Sequence, residues 1–210
     1  MNHLAHFFLS GNDDDLAIGN FVADFIKNRE LPNFTEGVKR GIFLHRAIDA
    51  FTDAHPIVKQ STQRLHPFHH KYSPVIVDVY YDFLLAKNWE KYEKEAPFPK
   101  ESGFRSSTVK TVNLRDYIDN IYKLLTNRIL ELPNGLQKHL AHMISDDWLM
   151  RYTNYDGLQI VFLRIEKKTT FAGDFGNAAK HLEQFLEEFD AEFNLFFPDL
   201  QAHVLRWEHG

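Results

Sequence analysis

The sequence contains no cysteine. That excludes a disulfide scaffold and any thiolate metal site, so a bound metal has only histidines and carboxylates to hold it, and it suits a reducing cytoplasm. No apolar stretch approaches membrane-spanning length. The opening MNHLAHFFLSGNDDD has no basic n-region, and histidines interrupt its short apolar run, which argues against a signal peptide. The expectation is a soluble cytoplasmic protein without a membrane partner. An excess of positive charge is also missing. The net charge of −5 gives no general attraction to nucleic acid, and an anionic partner would need a local basic patch. Glycine-rich phosphate loops, serine-nucleophile elbows and nucleic-acid modules are absent.

What is present is bulky core material: 44% of residues are hydrophobic, with 19 Phe and 8 Tyr, which excludes disorder. Composition shifts nowhere abruptly, so residues 1–210 are expected to form a single domain. Apolar residues recur at three- and four-residue intervals and β-like alternation is scarce, predicting an all-α helical bundle. The expected helices are 2–9, 15–28, one beginning after a Thr35 cap and ending at Pro56, 57–65, 75–89, 108–131, 134–152, 155–167 and 174–196. A loop is expected over LHPFHHKYSP, and an irregular connection at Pro97, Pro99 and Gly103.

Several of these helices carry polar pairs at four-residue spacing. GIFLHRAIDAFTDAHP, residues 41–56, aligns His45, Asp49 and Asp53 on one face. That face is either a solvated stripe or a set of ligands. In VIVDVYYDFLLA the only charges are Asp78 and Asp82. A helix apolar all round is buried, and buried unpaired carboxylates are costly, so a cation must compensate them. Either Arg or Lys from another helix, or a divalent ion with hard oxygen ligands, meets that need. Asn2 with His6 and Asn20 with Asp24 repeat the spacing. A bundle that turned the stripes inward would gather His6, Asp24, His45, Asp49, Asp78 and Asp82, a set suited to Mn, Mg or Fe.

NHLAH at 2–6, GNFVADF at 19–25, GIFLHRAID at 41–49, TDAHP at 52–56, PVIVDVYYDFLL at 74–85 and WLMRY at 148–152 together resemble the acyl carrier protein phosphodiesterase (holo-ACP hydrolase) family over most of the chain. The resemblance implies an all-helical fold related to HD-type metal-dependent phosphohydrolases. It also implies Mn²⁺-dependent hydrolysis of the phosphodiester joining 4′-phosphopantetheine to a serine of holo-acyl carrier protein, with Mg²⁺ or Fe²⁺ as other candidate ions. Carried over by motif position, Asp24, His45, Asp49, Asp78 and Asp82 belong to the metal centre or to the groups hydrogen-bonded around it. His6 lies beside them as a ligand or a supporting group. The chain has no adjacent His-Asp dipeptide, the nearest aspartate following His45 by four residues.

For such chemistry a divalent ion acidifies water and offsets charge growing on phosphate. An aspartate of the set could orient or deprotonate that water, and Arg46 could hold a phosphate oxygen or make a surface ion pair. Lys27 and Arg29, with Lys39 and Arg40 across the following loop, offer a local basic rim for an acidic carrier protein. Two other readings stand beside this one: a phosphohydrolase of nucleotides or signalling nucleotides, and a non-catalytic helical binding protein. The His66–Lys71 cluster is expected to be a solvated loop rather than a second metal site, and Phe185, Phe189, Phe193, Phe196 and Phe197 to be core or a subunit interface.

Overall fold

The structure, a computed structural model, describes residues 1–96, 112–169 and 174–209. Among these residues every regular element is helical, as the periodicity predicts: α1 (His3–Leu9), α2 (Asp14–Val22), α3 (Glu36–Ala54), α4 (Pro56–His69), α5 (Ser73–Lys87), α6 (Trp89–Glu95), α7 (Leu114–Asn127), α8 (Asn134–Ser145), α9 (Tyr155–Glu166), α10 (Ala178–Gln184) and α11 (Leu186–His209), joined in places by 3₁₀ turns. No helix among the described residues is long and apolar enough to cross a membrane. The expected connection at Pro97, Pro99 and Gly103 and the first residues of the predicted 108–131 helix lie outside the described residues.

The apolar helix α5 lies at the centre. Ile76, Val77, Val79, Tyr80, Tyr81, Leu84 and Leu85 are fully buried, and α5 packs on α1, α4, α11 and the 3₁₀ turn Trp148–Thr153. Tyr81 shares a 2.7 Å hydrogen bond with Ser61 of α4, whose hydroxyl donates to the buried Glu192 of α11. Phe189, Phe193, Phe196 and Phe197 of α11 are core.

Helices α2 and α3 meet through their backbones. A Cβ on Gly19 would lie 2.1 Å from the Val38 carbonyl oxygen, and one on Gly41 2.5 Å from that of Leu16. Only glycine allows this approach, which brings the Asn20 backbone against α3. Local chemistry starts the elements near the site. Asn2, Asp13 and Thr35 accept hydrogen bonds from His3, Leu16 and Val38 at the N-termini of α1, α2 and α3.

Several boundaries differ from expectation. The helix predicted for 15–28 stops at Val22, tightens into a 3₁₀ turn over Ala23–Phe25 and becomes extended at Ile26. Asp24 therefore leaves the helix on a turn. Helix α4 continues through Pro67 to His69, because a proline near a helix end removes one ladder bond while Leu65 and His69 stay buried on the inner face. The predicted 134–152 helix ends at Ser145, so WLMRY lies on the 3₁₀ turn. The C-terminal segment is two helices, broken at Phe185 (φ −116°, ψ 27°), and α11 runs through Pro198.

Candidate metal centre

The site is built from α1, the α2 end and α3. His6 sits on the inner face of α1, and Asp82 fixes that helix: its two oxygens accept from the backbone amides of Leu4 (2.8 Å) and Ala5 (3.2 Å). Asp82 is fully buried, and burial pushes its carboxyl up to about 7 despite those amides. Its charge is met by a helix N-terminus, so it positions α1 instead of facing the cluster.

Asn20 orients both imidazoles. Its amide nitrogen donates to the His6 carbonyl (3.1 Å) and to Ser10 Oγ (2.8 Å). That leaves Asn20 Oδ1 to accept from His6 Nδ1 at 2.9 Å. Its main-chain oxygen accepts from His45 Nδ1 at 3.0 Å. A carbonyl only accepts, so both rings carry hydrogen on Nδ1 and turn Nε2 the same way, stacked with centroids 4.0 Å apart.

The carboxylates converge on these Nε2 atoms. His45 Nε2 lies 3.2 Å from Asp24 Oδ1 and 3.1 Å from Asp49 Oδ2, and His6 Nε2 lies 3.2 Å from Asp49 Oδ1. His6, His45 and Asp49 each offer a ligand atom within 4.8 Å of the others, the one such group among the described residues. The histidines are buried, while the Asp24 and Asp49 side chains are 48% and 42% exposed, so the centre opens on its carboxylate side.

Charge in this group is uneven. Burial alone would lower the His45 pKa, but the hydrogen bonds to Asp24 and Asp49 prevail and raise it to about 9. Burial holds His6 neutral, below the usual imidazole range. Burial works against the charged forms of Asp24 and Asp49 too, yet the hydrogen bonds from His45 hold both below the carboxylate range. His6 Nε2 is thus a buried lone pair with no hydrogen-bond partner, facing a carboxylate oxygen. Two electron-rich atoms at that distance call for a cation between them, and neutral imidazole with carboxylate oxygen is a donor set that divalent ions accept. The residues fit a metal.

The remaining candidates lie at the edges. Asp78 is 3.1 Å from the Met1 α-amino group, which also approaches Asp49 at 3.7 Å; burial raises the Asp78 pKa against that amine. Asp53 is exposed and lines, together with Asp78, a cavity bounded by α3, α4 and α5. Arg46 is exposed and donates to Asn28 Oδ1 at 2.7 Å, tying α3 to the segment after Asp24. Lys27, Arg29 and Arg40 are exposed, while Lys39 is bound by Glu36 at 2.7 Å. Of the His66–Lys71 cluster, His66, His70 and Lys71 are exposed, and His69 is buried and bonded to His181. Sequence reasoning missed His3, whose Nδ1 is 3.8 Å from Asp24 Oδ2 and whose pKa burial lowers to about 4. Its signal was the i,i+3 pairing with His6.

An all-helical fold around a half-open His/Asp cluster defines a class: helical proteins with a candidate metal centre that opens to solvent on one side. Residues 1–101 and 104–200 match the acyl carrier protein phosphodiesterase family, and the chain belongs to it. Relatives named acyl carrier protein phosphodiesterase include one from Photorhabdus laumondii, 26% identical over 94% of this chain and 92% of its own length, and one from Yersinia enterocolitica, 26% identical over 97% of each. Another, from an Enterobacter species, is 30% identical over 77% of this chain and 92% of its own. No solved structure matches.

Proposed function

We propose that the chain is a metal-dependent phosphodiesterase that removes 4′-phosphopantetheine from the serine of holo-acyl carrier protein, with His6, His45, Asp24 and Asp49 as its centre. Family membership supports the substrate. The observation that carries the assignment of the centre is the convergence of two Asn20-oriented Nε2 atoms on two half-exposed carboxylates, one of the lone pairs being buried and unpartnered. The donors, imidazole and carboxylate with no thiolate, suit Mn, Mg or Fe, and of these Mn²⁺ is the ion that the family resemblance implies.

When bound, such an ion polarises the phosphoryl oxygen and lowers the pKa of water. The chain's own groups do the rest. His6 and His45 hold the buried side of the centre rigid, and the exposed oxygens of Asp24 and Asp49 face the incoming diester. One of these carboxylates takes a proton from the attacking water. The phosphorus–oxygen bond to serine breaks, the serine oxygen gains a proton, and the phosphate leaves on the pantetheine arm. Arg46, next to His45 in α3 and bonded here to Asn28, would turn its planar donor fork to a nonbridging oxygen. The cations at Lys27, Arg29, Lys39 and Arg40 attract the acidic carrier protein to that rim.

The test is incubation of the purified protein with Mn²⁺ and holo-acyl carrier protein, followed by intact mass. Loss of the phosphopantetheine mass, abolished by chelation and in Asp24→Ala, is the expected result. An unchanged carrier protein alongside cleavage of nucleotide substrates would favour a nucleotide phosphohydrolase.

A further inference from the structure

A cavity of ≈140 Å³ opens between the start of α1, the 3₁₀ turn Trp148–Thr153 and the end of α9. It adjoins the metal centre through His3, which lines it and lies 3.8 Å from Asp24. The motif WLMRY, unused in the chemistry above, supplies part of its wall with Trp148 and Tyr152. That wall is braced. Trp148 packs edge-to-face on His139 at 4.8 Å, the Arg164 guanidinium lies 4.8 Å over the indole, and Asp146 holds Arg164 at 2.5 Å. The space far exceeds the ~10–15 Å³ that one water needs, so it suits a chain of atoms.

Its surface mixes apolar side chains, Val161 and Ile165 beside the indole, with separated polar groups from Asn2, Arg164 and Lys168. A diester phosphate at the metal centre carries two substituents: the serine of a folded protein, too bulky to enter, and the pantetheine arm. The arm is slender and uncharged, and it alternates methyl and methylene surface with amides that need isolated donors and acceptors. We infer that this cavity seats the pantetheine arm of the substrate, an inference that rests on the proposed function. Binding of a remote, non-reacting part of the substrate in this way fixes the phosphate against the centre.

The experiment uses pantetheine, the arm without its phosphate, titrated calorimetrically into the full-length metal-free protein. Saturable binding is expected, and Ile165→Trp, which fills the cavity, should weaken it by about tenfold or more and lower kcat/KM on holo-carrier protein by a similar factor. Leu195→Trp, on an exposed face of α11, should change neither. Circular dichroism checks that Ile165→Trp folds. Should it not fold, indole emission of the wild-type protein provides the second measurement, with a change expected on adding pantetheine and none on adding inorganic phosphate. Wild-type protein that cleaves holo-carrier protein yet shows neither pantetheine heat nor an emission change, or a folded Ile165→Trp with undiminished kcat/KM, overturns the inference and leaves the function standing. Failure of the metal-supplied wild-type protein to release the arm overturns the function itself.

Discussion

Asn20 serves two histidines at once, through its side chain to His6 and its main chain to His45. Asn20→Ala therefore frees the His6 ring while leaving the His45 contact. Loss of a supporting hydrogen bond of this kind costs about 10–100-fold in metal affinity, and the exposed partners cost roughly 1–3 kcal/mol of stability. Metal titration and denaturant unfolding of the same protein read both. His45 adds a pH signature. Without metal its proton sits between Asp24 and Asp49, with a pKa of about 9. Because the folded pKa is above the unfolded value near 6.5, the associated stability is fully present below pH 6.5 and is lost as pH rises through about 9. The metal-free protein should therefore melt progressively lower across that window. His3 and His6, held neutral by burial, act below pH 6.5 in the opposite sense. An ion that takes the place of the His45 proton expels it, so metal binding near pH 7.5 should release about one proton, and fewer above pH 9. Calorimetry in buffers of different ionisation heat counts it, and zero protons released would exclude His45 as a ligand.

At the scale of elements, the site depends on the close contact of α2 and α3. Gly19→Ala places a methyl 2.1 Å from a backbone oxygen that cannot rotate away. Overpacking of this kind costs about 1–3 kcal/mol, and it separates Asn20 from His45, so metal affinity should fall together with unfolding temperature. Gly135→Ala on α8, where an added Cβ meets nothing within 4 Å, should be neutral or slightly stabilising. Helix identity was legible in the sequence because apolar periodicity records which face is buried; α3, its Thr35 cap and the buried α5 follow from it directly. Helix ends were less so. Pro67 reads as a breaker, but burial of Leu65 and His69 carries α4 past it. Asp82 shows the limit at the site: spacing and residue type say that a buried carboxylate needs positive charge. They do not say whether an ion or the amides of a distant helix supply it, because Leu4 and Asp82 meet only in the fold.

Over the whole molecule the net charge is −5, which repels an acidic carrier protein unless local charge prevails. The cations that can do so bracket the turn carrying Asp24: Lys27 and Arg29 follow it, and Lys39 and Arg40 stand in the first turns of α3. Lys39 is paired with Glu36, while Lys27, Arg29 and Arg40 are exposed, so Arg29 and Arg40, one from each side of that turn, are the cations to reverse. Complementary charge at a rim acts chiefly on encounter rate, and it is screened within a Debye length of about 8 Å at physiological salt. For Arg29→Glu with Arg40→Glu, kcat/KM on holo-carrier protein should therefore drop about tenfold or more at low salt, and the dependence on salt should flatten or reverse. Metal content and unfolding temperature should stay those of the parent, since both side chains are at the surface and neither touches the His/Asp cluster. A parallel loss of bound metal would mean that the substitutions had disturbed the centre. Unchanged kcat/KM at every salt concentration would place the docking surface on another face.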